Sequence, residues 1–156
     1  MPDKIDLREL SWPEMERFVG SLGWKRYRAM QIWQWVWARN VLDIAAMTDL
    51  SVRDREQLAD VACIGAPRVA DVRVSSDGTT KFLLELNDGE LVETVLIPSD
   101  APQRPGDLSV RMTQCVSTQV GCPMACTFCS TGKLGFKRNM SMGEILGQVQ
   151  AARAYV

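Results

Sequence analysis

Apolar residues recur at helical spacing near the start of the chain, with Met15, Phe18, Val19 and Leu22 three and four positions apart, which predicts an amphipathic helix. Ser11-Trp-Pro-Glu14 ahead of them reads as a capping box with proline in the first turn, and Gly23 as the stop. A second helix is predicted over 27–38, with Ala29, Ile32, Trp33, Val36 and Trp37 on one stripe. Tryptophans at that spacing point to a packed core face rather than a ligand box. A third is predicted to open near Ser51, carry Val52, Leu58 and Val61, and stop before Gly65-Ala-Pro67. Cys63, with no motif around it, reads as a core residue. From Val69 the period falls to two. Ser76-Asp-Gly78 and Asn87-Asp-Gly89 each separate runs rich in Val, Leu, Thr and Phe, which predicts an antiparallel meander with strands over 68–74, 80–86 and 91–97. A polar loop with two prolines follows over 100–107, then a strand over 110–117. Ser141-Met-Gly-Glu144 is a second capping box, opening a helix through Ile145, Val149 and Ala152.

Composition changes this picture little. With 46% hydrophobic and 24% charged residues the chain is ordinary for a globular protein. It has no run of eighteen apolar residues and its first ten lack the apolar core of a signal peptide, so a cytoplasmic protein without membrane contact is expected. The net charge of −1 supplies no bulk attraction to nucleic acid, so any RNA contact must be local. Two basic clusters qualify as RNA-binding candidates: Lys25, Arg26 and Arg28 interleaved with Trp24 and Tyr27, and Lys133, Lys137 and Arg138. Cations can offset phosphate charge while aromatic faces stack on bases. A solvated helix face over an aromatic core is the competing reading. Composition sets no oligomeric state; a monomer is the default.

The chemistry concentrates in Gly121-Cys-Pro-Met-Ala-Cys-Thr-Phe-Cys129, where Cys122, Cys126 and Cys129 have C-x3-C-x2-C spacing. The chain has five cysteines and no histidine. Clustered soft sulfur ligands select zinc or iron–sulfur. A structural zinc site closes with four ligands, which would require Cys115, seven residues upstream. A cubane held by three thiolates instead leaves one iron open to bind a small molecule. Buried or disulfide-bonded thiols remain the third option. A reducing compartment fits a cysteine cluster used for metal.

The loop, with Phe128 in the aromatic place before its third cysteine, resembles that of radical S-adenosylmethionine (SAM) enzymes. Its flanks, Gln114-Cys-Val-Ser-Thr-Gln-Val-Gly-Cys122 and Cys129-Ser-Thr-Gly-Lys-Leu-Gly-Phe-Lys-Arg-Asn139, resemble the radical SAM adenosine methyltransferases of RNA, the RlmN/Cfr group. So does Val92-Glu-Thr-Val-Leu-Ile-Pro98, and more weakly Tyr27-Arg-Ala-Met-Gln-Ile-Trp33. The resemblance covers most of this chain and less than half of a typical member. It implies a 4Fe-4S cluster on Cys122, Cys126 and Cys129, SAM as cofactor, and a reducing electron donor. An adenosyl radical formed from SAM would act on a methyl group carried by a cysteine that this chain lacks. Cys115 aligns with the second catalytic cysteine, which forms a disulfide with the methyl-carrying one. Glu93 aligns with the proton acceptor, a role that burial in an apolar strand would favour. Read from the residues alone, Cys115 is a core thiol on a strand and Glu93 a solvated strand position.

The fold class implied is an α+β N-terminal part, a small helical bundle and an antiparallel meander, followed by the first βα unit of an α/β radical SAM barrel. The boundaries are 1–66 for a helical, RNA-contacting accessory domain, 67–108 for the meander and loop, and 109–156 for the start of the barrel. Strand 110–117 would be the first barrel strand, with the cysteine loop at its C-terminal end, where barrel enzymes keep their sites. The function implied is the N-terminal portion of an enzyme methylating carbon 2 of adenosine in 23S rRNA and in tRNA, not expected to complete a methyl transfer alone. Carbon 8 in rRNA is the alternative within the group. A zinc-stabilised RNA-binding module is the alternative outside it.

Overall fold

The computed structural model describes residues 4–99, 111–153 and 155. The chain divides into two compact units, Met1–Gly65 and Ala66–Val156. The first contains β1 (Ile5–Asp6), α1 (Trp12–Ser21), α2 (Tyr27–Trp33), a wide π turn (Gln34–Ala38), a short 3-10 turn (Ile44–Ala46), α3 (Val52–Val61) and β2 (Ala62–Cys63). At the start of α1 the Glu14 carboxylate accepts the Ser11 backbone N–H at 2.8 Å, and Met15, Phe18 and Val19 are buried as the spacing predicts. The continuous helix expected over 27–38 widens instead. Arg39 N–H reaches back five residues to the Gln34 carbonyl at 3.0 Å, and the extra residue in that turn rotates the following side chains. Trp35 and Val36 both face the core, while Trp33 and Trp37 are only partly buried against it. The indole N–H of Trp35 donates to Asp49 at 2.6 Å.

Two expectations for this unit need correction. Of the apolar residues assigned to α3, only Leu58 is buried; Val52 is 62% and Val61 39% exposed. The helix is held by Leu58, by Ser51 capping the Asp54 N–H at 3.1 Å and by the Arg28–Asp54 ion pair at 2.8 Å. A reading in helices alone also missed that β1 and β2 pair in parallel, Ile5 with Ala62 and Asp6 with Cys63, which leaves Cys63 half-buried rather than in the core. Arg8 locks this closure. It is 1% exposed, and its guanidinium donates to the Gly65 carbonyl at 2.7 Å and to Asn40 at 3.0 Å. Asp6 accepts the N–H groups of Arg8 and Gly65, each at 3.0 Å. Burial pulls the Arg8 pKa below its ordinary value, with Asp6 opposing.

The second unit is built on β3 (Arg68–Val74), β4 (Thr80–Glu85), β5 (Leu91–Ser99) and β6 (Arg111–Cys115), antiparallel neighbours in that order. The meander is the one read from the alternation. At both hairpins only the glycine takes a positive φ, Gly78 at 80° and Gly89 at 83°, while Asp77 and Asp88 hold the N–H two residues on at 2.9 and 3.1 Å. Along β5, Val92, Thr94 and Leu96 point inward to a core with Phe82, Leu84, Val120, Met140 and Ala152. Among the described residues β6, the strand expected to open the barrel, pairs with β5 in antiparallel fashion, from Val95↔Cys115 to Ser99↔Arg111. This pairing satisfies the backbone groups along the outer edge of β5. The loop expected over 100–107 and the first residue of strand 110–117 lie outside the described residues.

After β6 come β7 (Gln119–Gly121), α4 (Ser130–Lys133), β8 (Phe136–Asn139) and α5 (Met142–Arg153). The Ser141 box is complete: Ser141 N–H donates to Glu144 at 2.9 Å and Glu144 N–H to the Ser141 hydroxyl at 3.2 Å. The α5 stripe is shifted from the expected one, since Val149 is 43% exposed and Gln148 is fully buried. The described residues form a mixed α/β chain with an antiparallel sheet. No helix among them is long and apolar enough to cross a membrane.

Arg8→Met should lower the stability of the first unit by about 1–3 kcal/mol, because Asn40 and the Gly65 carbonyl lose their buried donor. All five tryptophans lie between Trp12 and Trp37, so urea unfolding followed by tryptophan fluorescence reports it directly; an unchanged midpoint would contradict the role given to Arg8.

Candidate active site

Strand register brings Glu93 and Cys115 together. Directly opposed residues share a sheet face, and Cys115 opposes Val95, two positions from Glu93. Glu93 and Cys115 are therefore diagonal neighbours on the face turned away from the core. Both are exposed. Glu93 forms an ion pair with Lys81 at 2.9 Å above a shallow hollow that Asp71, Arg73 and Leu83 also line. The glutamate falls on the solvated side of an alternating strand, as the residues alone indicated, and not in the buried apolar setting that would favour a base. Cys115 is likewise an exposed thiol, not a core one.

Four side chains whose roles the sequence did not show, Thr94, Ser117, Gln148 and Gln114, fix the backbone of these two residues. The β5–β6 register ends at Cys115, so the backbone beyond it needs other partners. Thr94, 1% exposed, donates its hydroxyl to the Cys115 carbonyl at 2.7 Å. Ser117 donates its hydroxyl to the Glu93 carbonyl, also at 2.7 Å. Gln148 on α5 accepts the Ser117 N–H at 2.8 Å and donates to the Ser117 carbonyl at 2.7 Å. Gln114 completes the network, donating to Thr94 at 2.9 Å and to the Gln148 carbonyl at 3.0 Å. The available signal was Gln148 itself, a polar residue at helical spacing between Ile145 and Ala152.

The cysteine loop hangs between β7 and β8, which pair antiparallel. Cys122 N–H donates to the Gly135 carbonyl at 3.0 Å and Cys129 N–H to the Cys126 carbonyl at 3.1 Å. Gly121 is required where it stands: its φ is +74°, and a Cβ there would sit 1.8 Å from the Gly135 oxygen. Ala125 also has positive φ, 48°. Cys122, Cys126 and Cys129 are free, half-buried thiols. Three thiols on one loop are the donor types that a zinc or iron–sulfur group takes. Among the described residues, however, no three His, Cys, Asp or Glu side chains are gathered to hold a metal ion. Around the loop Phe128 is 90% exposed, and Met124 and Leu134 are each 74%.

The basic candidates separate into engaged and free cations. Arg138 lies between Glu144, at 2.8 Å to both carboxylate oxygens, and Asp88, at 2.6 and 2.9 Å. Lys137 pairs with Glu90 at 2.7 Å. Arg28, half-buried, serves Asp54, Gln31 and the Asp49 carbonyl, and Arg26 pairs with Glu16 at 2.6 Å. Lys25 and Lys133 are exposed and form no ion pair among the described residues.

Residues 5–64 match the family model described as the ribosomal RNA large subunit methyltransferase N-terminal domain. Over 97% of its length the chain is 56% identical to the dual-specificity RNA methyltransferase RlmN of Nitratidesulfovibrio vulgaris strain Miyazaki F, and covers 41% of that relative. The chain matches the N-terminal part of the RlmN family. The RlmN of Halorhodospira halophila is 45% identical, with 97% of this chain and 40% of that relative covered. Among solved structures, a radical SAM methyltransferase from Sphaerobacter thermophilus superimposes with a TM-score of 0.80 at 37% identity, over 97% of this chain and 42% of that one. The chain thus spans about two fifths of the length of these RlmN relatives.

Arg138 raises a pH prediction. It holds the carboxyls of Glu144 and Asp88 below their ordinary range, chiefly by hydrogen bonding. A lowered folded pKa adds stability above the unfolded value, and that stability is lost as pH falls through the folded one. The melting temperature should hold between about pH 5.5 and 7.5 and fall below about pH 4, where unfolded Asp and Glu titrate. Arg138→Gln should flatten that acid limb; an unaltered limb would rule the triad out as its cause. Separately, Gly121→Ala should part β7 from β8, seen as faster amide exchange at Cys122 with the β4–β5 amides unaffected.

Proposed function

We propose that this chain forms the N-terminal portion of a radical SAM methyltransferase acting on carbon 2 of adenosine in 23S rRNA and in tRNA. One observation carries the reading. The C-x3-C-x2-C loop and the Glu93–Cys115 pair occur together in a chain 37% identical to a radical SAM methyltransferase and 56% identical to an RlmN. Cys122, Cys126 and Cys129 would hold a 4Fe-4S cluster. When bound, that cluster supplies the electron that activates S-adenosylmethionine, and a cellular reductant would renew it.

The chain's own groups have separate tasks. Glu93 accepts the proton that the substituted ring carbon must lose, from a carboxylate exposed on the outer face of the sheet. Lys81 holds it meanwhile at 2.9 Å. Cys115 offers an accessible thiol on the same face for thiol–disulfide chemistry with a second cysteine outside this chain. β6 and α5 would begin the barrel that the remainder of such an enzyme closes. The helical unit would contact RNA through its exposed cations, Lys25 first, and Lys133 would do so beside the loop, in the cytoplasm and as a monomer. Arg26, Arg28, Lys137 and Arg138 could reach phosphate only by exchanging carboxylate partners, which makes them the weaker RNA candidates.

Anaerobic reconstitution of the chain, followed by iron, sulfide and zinc analysis and low-temperature electron paramagnetic resonance after reduction, tests this. About four irons per chain are expected for a cubane, lost on Cys122→Ala, Cys126→Ala or Cys129→Ala and kept on Cys115→Ala. Stoichiometric zinc that depends on Cys115 would replace the enzyme reading with a structural module.

A further inference from the structure

The reciprocal hydroxyl contacts behind Glu93 and Cys115 carry a role beyond holding the sheet. Thr94 follows Glu93 in sequence and bonds the carbonyl of Cys115; Ser117 lies two residues after Cys115 and bonds the carbonyl of Glu93. Each proposed catalytic residue thus has its own carbonyl fixed by a hydroxyl from the segment that carries the other. The bonds cross where the backbone ladder stops, since Val95↔Cys115 is the last register pair. Without them β6 would be free to splay from β5 just at Cys115. Gln148 braces the far side: its amide makes both hydrogen bonds to Ser117 that a neighbouring strand would have made. It is fully buried, as Thr94 nearly is, so neither bond exchanges readily with water.

We infer that Thr94 and Ser117, braced by Gln148, are positioning residues that set the separation of Glu93 and Cys115. This inference rests on the catalytic reading of that pair, but its test does not. Thr94 is buried while the Ser117 bond lies at the exposed edge of the sheet; both hydroxyls are spent on backbone carbonyls, so they act through Glu93 and Cys115. The arrangement suits a reaction in which a base and a thiol must serve one bound ring, because a small error in placing catalytic groups carries a large rate penalty.

The test measures the separation itself. Nitroxide labels go on Cys115 and on Glu93→Cys in the full chain with Cys63, Cys122, Cys126 and Cys129 changed to serine, and the spin–spin distance distribution is recorded. Amide hydrogen exchange is read in parallel on the unlabelled parent. Thr94→Val, nearly the same shape without the hydroxyl, should broaden the distribution, and Thr94→Ser should restore it. Ser117→Ala should broaden it in the same way. Exchange at the Ser117 amide should rise about fivefold, the effect of one lost hydrogen bond on a local opening, with the Phe82 and Leu84 amides unchanged. An unchanged distribution in both variants overturns the inference. So does a uniform rise in exchange with the distance preserved, which would make Thr94 and Ser117 supports of the sheet alone. The distance is blind to whether Glu93 and Cys115 do chemistry, so failure here is distinct from failure of the enzyme reading.

Discussion

The second unit depends on how the backbone is satisfied where β6 leaves the sheet. A strand that abandons its neighbour exposes N–H and C=O groups, and buried ones must find partners. Here the partners are side chains: Thr94 for the Cys115 carbonyl and Gln148 for both polar groups of Ser117. That substitution lets the chain turn toward β7 and the cysteine loop while α5 stays packed on the sheet. It also places a helix amide in a core otherwise made of Phe82, Leu84, Val92 and Leu96. A polar group there is stable because every bond it can make to Ser117 is made.

The electrostatics follow a similar economy. The net charge is −1, and most of the arginines and lysines near the candidate site face carboxylates. Arg138 is the clearest case. Its planar guanidinium reaches Glu144 in bidentate fashion and Asp88 with two further bonds, a geometry lysine could not reproduce. It links the strand that closes the cysteine loop both to the β4–β5 turn and to the first turn of α5. The basic run Lys-Arg after the loop is therefore internal scaffolding as much as a nucleic-acid surface. Lys133, with no such partner among the described residues, keeps its charge for solvent or a ligand.

Much of this was legible in the sequence, for physical reasons that differ from element to element. The meander was legible because period-two alternation and Asp-Gly turns report local backbone preferences directly. The start of α1 and the start of α5 were legible because capping is local too. The β1–β2 pairing was not, since two residues of strand leave no periodicity and join positions 57 apart. The π turn after Trp33 escaped because one inserted residue rotates the stripe without changing its composition. At the site, the cysteine loop and the residues Glu93 and Cys115 were named from their motif, but the face they occupy could be known only from register. The alternation around Glu93 pointed to a solvated strand position, and the register agrees, whereas the buried setting that would favour a base is not found. Thr94 and Ser117 carried no signal at all: a hydroxyl bonding a carbonyl on the next strand looks in sequence like any other strand residue.

Ala125, between Cys122 and Cys126, holds φ at 48°, a conformation that costs a residue with a side chain about 1 kcal/mol or more. A peptide rearrangement that returned it to the ordinary region would release that energy. The glycine contact at Gly121 and Gly135 has the opposite character, with no slack in it. The loop therefore combines a tightly packed neck with a strained tip. Backbone strain thus sits between the first two thiols, while close backbone contact fixes the base of the loop.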